Sequence, residues 1–313
     1  MTQHNHNLQK KVAVFNDFTG FGRCALTVQL PLISALGLQC CPVPTVLFSN
    51  HTAFPSHFRM EIEQNLAAYL AEWEKLDLKF EGIAVGYFTS ETGIDAAHAF
   101  LETQQQALIV VDPIMGDHGH MYASCTQARA EKLKSLLPLC DVLTPNLTEA
   151  CILTDTPYTP DPDEDLLRRL CEKLVLLSAP ADSSVTDSTS ATRSKLQAQA
   201  NRLSKILITG IECGDQIGNY VYETDSGKAS GAEAGKKPGG KLVCFPRVGI
   251  SRAGTGDVMA AILTGDLVNG LSLSDALHHA QQFLSVCLKT ATDLGLPPED
   301  GIPFELHLKK LFN

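Results

Sequence analysis

Segments of strand length alternate along this chain with segments of helical period, and one of them is apolar throughout: Ala107-Leu-Ile-Val-Val111. Successive side chains of a strand point to opposite faces, so a strand with no polar residue needs cover on both. That is the situation of a central strand in a parallel sheet with helices above and below. The neighbouring segments agree. Residues 11–15, 40–47, 82–86, 142–144 and 205–209 read as further strands, and 23–36, 66–75 and 94–103 as helices between them. In the helix at 23–36, Leu26, Leu30, Ile33 and Leu36 fall on one face and Gly37 closes it. The expectation is an α/β fold: a central, mostly parallel sheet flanked by helices on both faces, a three-layer sandwich. In such sheets ligands bind beyond the carboxyl ends of the strands.

At 313 residues, 44% of them apolar and 19% charged, the chain can bury a large core, and we expect one domain over 1–313 with a polar tail at 1–10. No apolar run reaches the roughly 18 residues a membrane helix needs, and the first ten residues lack the apolar centre of a signal peptide. A cytoplasmic protein without membrane contact is the expectation. The net charge of −10, with no basic block to offset it, disfavours nucleic acid as a partner. The ten cysteines are irregularly spaced with no Cys-x-x-Cys pair, which reads as reduced thiols and neither a disulfide framework nor zinc. Two stretches, 179–204 and 225–241, are rich in Ser, Thr, Asp, Ala, Gly and Lys, and read as exposed loop insertions. The second lengthens a hairpin between 219–223 and 242–245, which we expect to lie against a nucleotide.

The chemistry concentrates in Ser251-Arg-Ala-Gly-Thr-Gly-Asp-Val-Met-Ala-Ala261. Small residues at Gly254, Thr255 and Gly256 let backbone N–H groups converge at the first turn of an apolar helix, where unpaired donors and the helix dipole favour an anion. Asp257 then stands at the mouth of that turn, able to take a proton from an attacking hydroxyl. Phosphate cradle and carboxylate together are what phosphoryl transfer to an alcohol requires. The same residues also satisfy a plain tight turn with an N-cap. Two further polar groups sit at strand ends. Asp112-Pro-Ile-Met-Gly-Asp117 follows the apolar strand, and Asn146-Leu-Thr-Glu149 follows Val142-Leu-Thr144, where Asn146 and Glu149 have the spacing of a capping box.

The Gly254-Thr-Gly-Asp257 segment resembles the C-terminal signature of ribokinase-like small-molecule kinases. Asn16-Asp-Phe-Thr-Gly-Phe-Gly22 and Thr45-Val-Leu-Phe-Ser-Asn-His-Thr52 resemble the vitamin B6 branch of that superfamily, the pyridoxal and pyridoxamine kinases, over about residues 11–288. The resemblance implies ATP as phosphoryl donor, the 5′-hydroxymethyl group of pyridoxal, pyridoxamine or pyridoxine as acceptor, and Asp257 as the base. It implies Asn16, Phe48, Thr52 and Tyr87 around the substrate ring, Asn16 standing where pyridoxal kinases carry a serine. It implies Asp112, Asp117, Thr144, Asn146, Glu149, Thr209 and Gly210, with Gly254 and Gly256, around ATP. Asp112 and Glu149 are expected to hold Mg²⁺ through water, K⁺ to lie near the anion-hole loop, and the protein to be a homodimer. A hydroxymethylpyrimidine or phosphomethylpyrimidine kinase of thiamine synthesis would share fold, cofactor and base. A non-catalytic nucleotide- or B6-binding protein is the reading from another class.

Overall fold

The computed structural model describes residues 5–179, 202–224 and 239–312. They form two compact units, Met1–Asp112 with Arg247–Asn313, and Pro113–Pro246. In chain order the first unit opens with β1 (Lys11–Thr19), α1 (Leu26–Ala35), β2 (Gln39–Phe48), β3 (Arg59–Glu61), α2 (Leu66–Lys75), β4 (Gly82–Val85), α3 (Glu91–Thr103) and β5 (Leu108–Val111). Its strands lie in the order β5-β4-β1-β2-β3, parallel except at the β2–β3 edge. Val12 to Phe15 are sealed on both faces, as are Ile109 to Val111, so the all-apolar run is the covered inner strand its composition requires.

The second unit holds a short hairpin, β6 (Gly116–Asp117) and β7 (His120–Met121), followed by α4 (Gln127–Leu133), β8 (Val142–Leu143), α5 (Leu147–Leu153), α6 (Glu164–Leu177), β9 (Lys205–Cys213), β10 (Gln216–Glu223) and β11 (Gly239–Pro246). β8 and β9 run parallel; β9, β10 and β11 form an antiparallel meander, with the expected hairpin paired from Gln216↔Pro246 to Glu223↔Gly239. The chain then returns to the first unit with α7 (Thr255–Val268) and α8 (Leu273–Asp293). Helix α7 packs against α1, α8, β4 and β5, and is buried without a break from Val258 to Asp266. The fold is the α/β class read from the sequence. Among the described residues no helix is long and apolar enough to cross a membrane.

Three expectations shift. Helix α1 begins at Leu26 and not near residue 23, because Arg23 and Ala25 take positive φ values of 43° and 52°. Its covered side is Leu26, Val28, Gln29, Leu32 and Ile33, whereas Leu30, assigned to that face by spacing, is 38% exposed. The insertion expected at 179–204 ends earlier on its C-terminal side: Leu203 is buried and the Ser204 N–H donates to the Asp141 carbonyl. Residues 180–201 and 225–238 of the two expected insertions lie outside the described residues.

Candidate active site

In the first unit, the turn before α7 is held open by one glycine. Gly254 has φ +77°, and a Cβ there would stand 2.0 Å from the Arg23 carbonyl oxygen, so the position excludes a side chain on conformation and on space. Arg252 pins the turn from behind, its Nη1 donating to the carbonyls of Leu296 (2.8 Å) and Pro297 (3.0 Å), while the Ala253 N–H donates to the Pro298 carbonyl. Helix α7 then begins, and the N–H groups of its first turn have no intrahelical acceptor. Gly256 on that turn is exposed, with open space where a side chain would project.

Asp257 is half-buried on this first turn. Its Oδ1 accepts from Asn16 Nδ2 at 3.1 Å, and the carboxylate also accepts from the Ala25 backbone N–H. Ala25 is the N-cap of α1, and its unusual φ of 52° belongs to the loop that presents this N–H. Burial pushes the Asp257 carboxyl above the ordinary aspartate range; the Ala25 and Asn16 hydrogen bonds and the nearby His51 oppose that push.

Asn16 is fully buried, and its side chain is used up within the chain. Nδ2 donates to Gln29 Oε1 (3.0 Å) and to Asp257; Oδ1 accepts from the backbone N–H groups of Asp17 (3.0 Å) and Tyr87 (3.1 Å). The expected contact from Asn16 to a pyridine ring is therefore corrected: an amide has two donors and one oxygen with two lone pairs, and all are spent here. Asn16 is a strut that holds the Asp257 carboxylate. Phe48 is buried with its ring edge-on to His57 at 5.4 Å, a core position at the end of β2. Tyr87 is buried too, its carbonyl accepting from Thr45 Oγ1 at 2.8 Å, whereas Thr52 is exposed. His51 Nε2 lies 2.6 Å from the Glu299 carbonyl oxygen, and the Ala53 N lies 3.2 Å from its Nδ1. Gly22 makes room for that ring: a Cβ there would stand 2.2 Å from His51 Cδ2. Asp112, at the end of β5, is half-buried, with its N–H donating to the Val85 carbonyl.

In the second unit, Asn146 caps α5 and forms the capping box with Glu149. Glu149 does more than cap: buried, it accepts from the backbone N–H groups of Asn146 (2.8 Å), Met115 (3.1 Å) and Gly116, and so fastens the 115–116 loop to the helix start. Burial and the neighbouring Asp117 raise its carboxyl to about 8 against the pull of those donors. Asn146 Nδ2 in turn donates to the Gly116 carbonyl at 2.8 Å. Thr144 is buried just before this cap; Asp117 is exposed on the hairpin, accepting from the His118 N–H. Thr209 and Gly210 form a bulge inside β9 and do not end the strand. Tyr220 faces Ile208 but Gly218 faces Ile211, leaving one extra residue on β9, and Gly210 takes φ +72° there. Thr209 is tied to the α5 start by its N–H to the Pro145 carbonyl and a parallel bridge to Asn146.

The structure thus joins Asn16 to Asp257 in one unit and gathers Thr144, Asn146, Glu149 and Thr209 in the other. Sequence reading gives Asp17 no definite task and misses Gln29 and the Ala25 N–H. Gln29 carried a signal, as the one amide in an otherwise apolar helical stretch; Ala25 carried none.

The sequence profile of the phosphomethylpyrimidine kinase family matches residues 29–214. The chain belongs to this family of the ribokinase-like superfamily. Its curated relatives include the pyridoxal kinase of Arabidopsis thaliana, 27% identical over 243 residues that span 74% of this chain and 66% of the relative. Among solved structures, a Bacteroides thetaiotaomicron protein assigned to the phosphomethylpyrimidine kinases superposes with TM-score 0.82 at 29% identity, over 98% of this chain and 95% of the other. A second crystal form of that protein, 28% identical with TM-score 0.80 over 97% and 96% of the two chains, contains pyridoxal. The pyridoxal kinase of Lactobacillus plantarum follows at 0.79 and 25% identity, with 97% of each chain covered.

Proposed function

We propose that this protein transfers the γ-phosphoryl group of ATP to the 5′-hydroxymethyl group of a B6 vitamer, pyridoxal, pyridoxamine or pyridoxine. The observation that carries it is Asp257, half-buried on the first turn of α7 and aimed by the Asn16 amide and the Ala25 N–H. A carboxylate so held takes the hydroxyl proton as the O–P bond forms and the bond from γ-phosphorus to the departing ADP oxygen breaks. The N–H groups at the start of α7 offset charge on the phosphoryl group in flight. Support for the substrate class comes from the Phe48-Ser-Asn-His-Thr52 segment, from relatives that are pyridoxal kinases, and from the Bacteroides relative with pyridoxal.

Mg²⁺ enters this reading with the nucleotide. Among the described residues no cluster of three or more His, Cys, Asp or Glu could hold a resident metal, and a nucleotide-borne Mg²⁺ needs only one or two carboxylates at its water shell. Asp112 and Glu149 are the carboxylates that would face that shell, Glu149 while also serving three backbone donors. The ion would neutralise phosphate charge. Thr144, Thr209 and Gly210 belong to the nucleotide in the same reading, K⁺ follows from the resemblance, and the whole chain serves one cytoplasmic, homodimeric kinase. The name of the matched family favours a second reading, phosphorylation of hydroxymethylpyrimidine or its phosphate. Parallel turnover assays with the three vitamers and hydroxymethylpyrimidine decide: phosphate transfer to the pyrimidine alone refutes the B6 assignment.

A further inference from the structure

Thr45, on β2, is sealed from solvent and has no part in the chemistry above. Its Oγ1 donates to the Tyr87 carbonyl at 2.8 Å, while the Tyr87 N–H donates to Asn16 Oδ1 at 3.1 Å. Tyr87 stands two residues beyond the end of β4, and its backbone is fixed on both sides of its Cα by buried side chains, one from β2 and one from β1. Gly86 permits the close approach: a Cβ there would stand 2.9 Å from Asn16 Cγ. The far end of the same turn is anchored separately, the Thr89 N–H donating to Glu63 Oε1 and the Ser90 hydroxyl to Glu63 Oε2. The orientation of the Asn16 amide follows from its partners. Two backbone N–H groups, of Asp17 and Tyr87, face Oδ1, which leaves Nδ2 for Gln29 Oε1 and for Asp257 Oδ1 at 3.1 Å. A connection of printed contacts thus runs from the Thr45 hydroxyl to the Asp257 carboxylate.

We propose that Thr45 is a positioning residue for the base: through the main chain of Tyr87 and the amide of Asn16 it sets where the Asp257 carboxylate stands against the acceptor hydroxyl. The inference rests on the assignment of Asp257 as base. Its physics is geometric. Without the Thr45 donor the buried Tyr87 carbonyl turns toward another partner, because a buried acceptor stripped of a hydrogen bond carries a desolvation cost. The Tyr87 N–H turns with it, and Asn16 loses one of the two donors that fix its amide plane. Nδ2 then no longer meets Asp257 Oδ1 in the same direction. A displacement of about 1 Å at a reacting group can cost about 10² in rate, so a small rotation is enough.

Thr45→Val keeps the branched shape and removes the hydroxyl, and two measurements on it test the proposal. In turnover, Thr45→Val lowers kcat about tenfold with the KM for ATP unchanged, and Thr45→Ser, which returns the donor, restores kcat. In an Asp257→Asn background, where the base is already gone, Thr45→Val lowers kcat no further. A wild-type kcat in Thr45→Val, or the same fall in both backgrounds, overturns the proposal. In ligand-free protein, the Asp257 carboxyl carbon, followed by NMR and assigned by its loss in Asp257→Asn, shifts in Thr45→Val and returns in Thr45→Ser. A signal unmoved by Thr45→Val overturns it as well. Should valine prevent folding, Thr45→Cys, a side chain of similar size with a weak donor, carries the same comparisons. The NMR measurement needs no substrate, so failure of every B6 vitamer to react removes the substrate assignment without altering that result.

Discussion

Gly254 and Gly256 stand two residues apart in one turn, yet the structure gives them opposite tolerances. At Gly254 alanine meets a left-handed backbone, worth about 1–2 kcal/mol, and a Cβ placed 2.0 Å from the Arg23 carbonyl, where overpacking costs roughly 1–3 kcal/mol. The obstacle is backbone and cannot swing away. Gly254→Ala should therefore lose ~2–5 kcal/mol, a fall in Tm of roughly 5–15 °C. Relief of the clash moves the Arg23 carbonyl, two residues from the Ala25 N–H that holds Asp257, so kcat should fall by about 10² even where the protein remains folded. At Gly256 a methyl group enters open space on the first helical turn, and Ala there gains up to about 0.5–1 kcal/mol. Its methyl instead crowds a phosphoryl group approaching those N–H groups. Gly256→Ala should keep or raise Tm and lose activity through the KM for ATP. Differential scanning calorimetry and steady-state kinetics on both variants read this directly. A Gly254→Ala protein of unchanged Tm, or a Gly256→Ala protein with wild-type ATP kinetics, would refute the reasoning.

Asp257→Asn keeps size and hydrogen-bonding shape while removing the proton acceptor, so the fold should survive and kcat drop by about 10²–10⁴ with ATP affinity little changed; wild-type turnover would sink the assignment. Because burial raises the Asp257 carboxyl, kcat/KM should decline on the acid side with a pKa above the model-peptide aspartate value of about 3.9. Glu149→Gln puts an NH₂ group where one carboxylate oxygen meets backbone N–H donors, and should cost about 1–3 kcal/mol. Unchanged Tm with a raised Mg²⁺ requirement would make Glu149 a metal-shell residue alone. Sedimentation at micromolar concentration should find a dimer; a 33.8 kDa species alone contradicts that.

The sheet was legible because a doubly covered strand must be apolar on both faces: Ile109 to Val111 announce their surroundings in any context. The turn before α7 was legible for a similar reason, since Gly254 is the residue its φ and its neighbour both demand. Asn16 was read as a ligand contact because its hydrogen bonding depends on a carboxylate 241 positions away, and nothing local distinguishes an amide that meets a ligand from one that holds a buried side chain. Arg23 and Ala25 give no warning of positive φ, which they adopt only because tertiary contacts impose it, and α1 accordingly starts late. Asn146 and Glu149 illustrate a different limit. The spacing of a capping box was readable, but not that the same acid also takes the Met115 and Gly116 N–H donors from a loop more than thirty residues away.

The first unit is made from the two ends of the chain, and that has a consequence during synthesis. Strands β1, β4 and β5 leave the ribosome long before α7, which covers β4 and β5 and supplies Asp257. The late segment is stitched to the early one at the edges as well, by Lys10 Nζ to the Val268 carbonyl and Asn269 Nδ2 to the Leu36 carbonyl. Until about residue 268 has emerged, the N-terminal half carries an uncovered apolar sheet face that cannot close locally, the condition under which nascent chains engage chaperones or aggregate. Truncation before α7 therefore removes at once the cover of β4 and β5 and the residue Asp257.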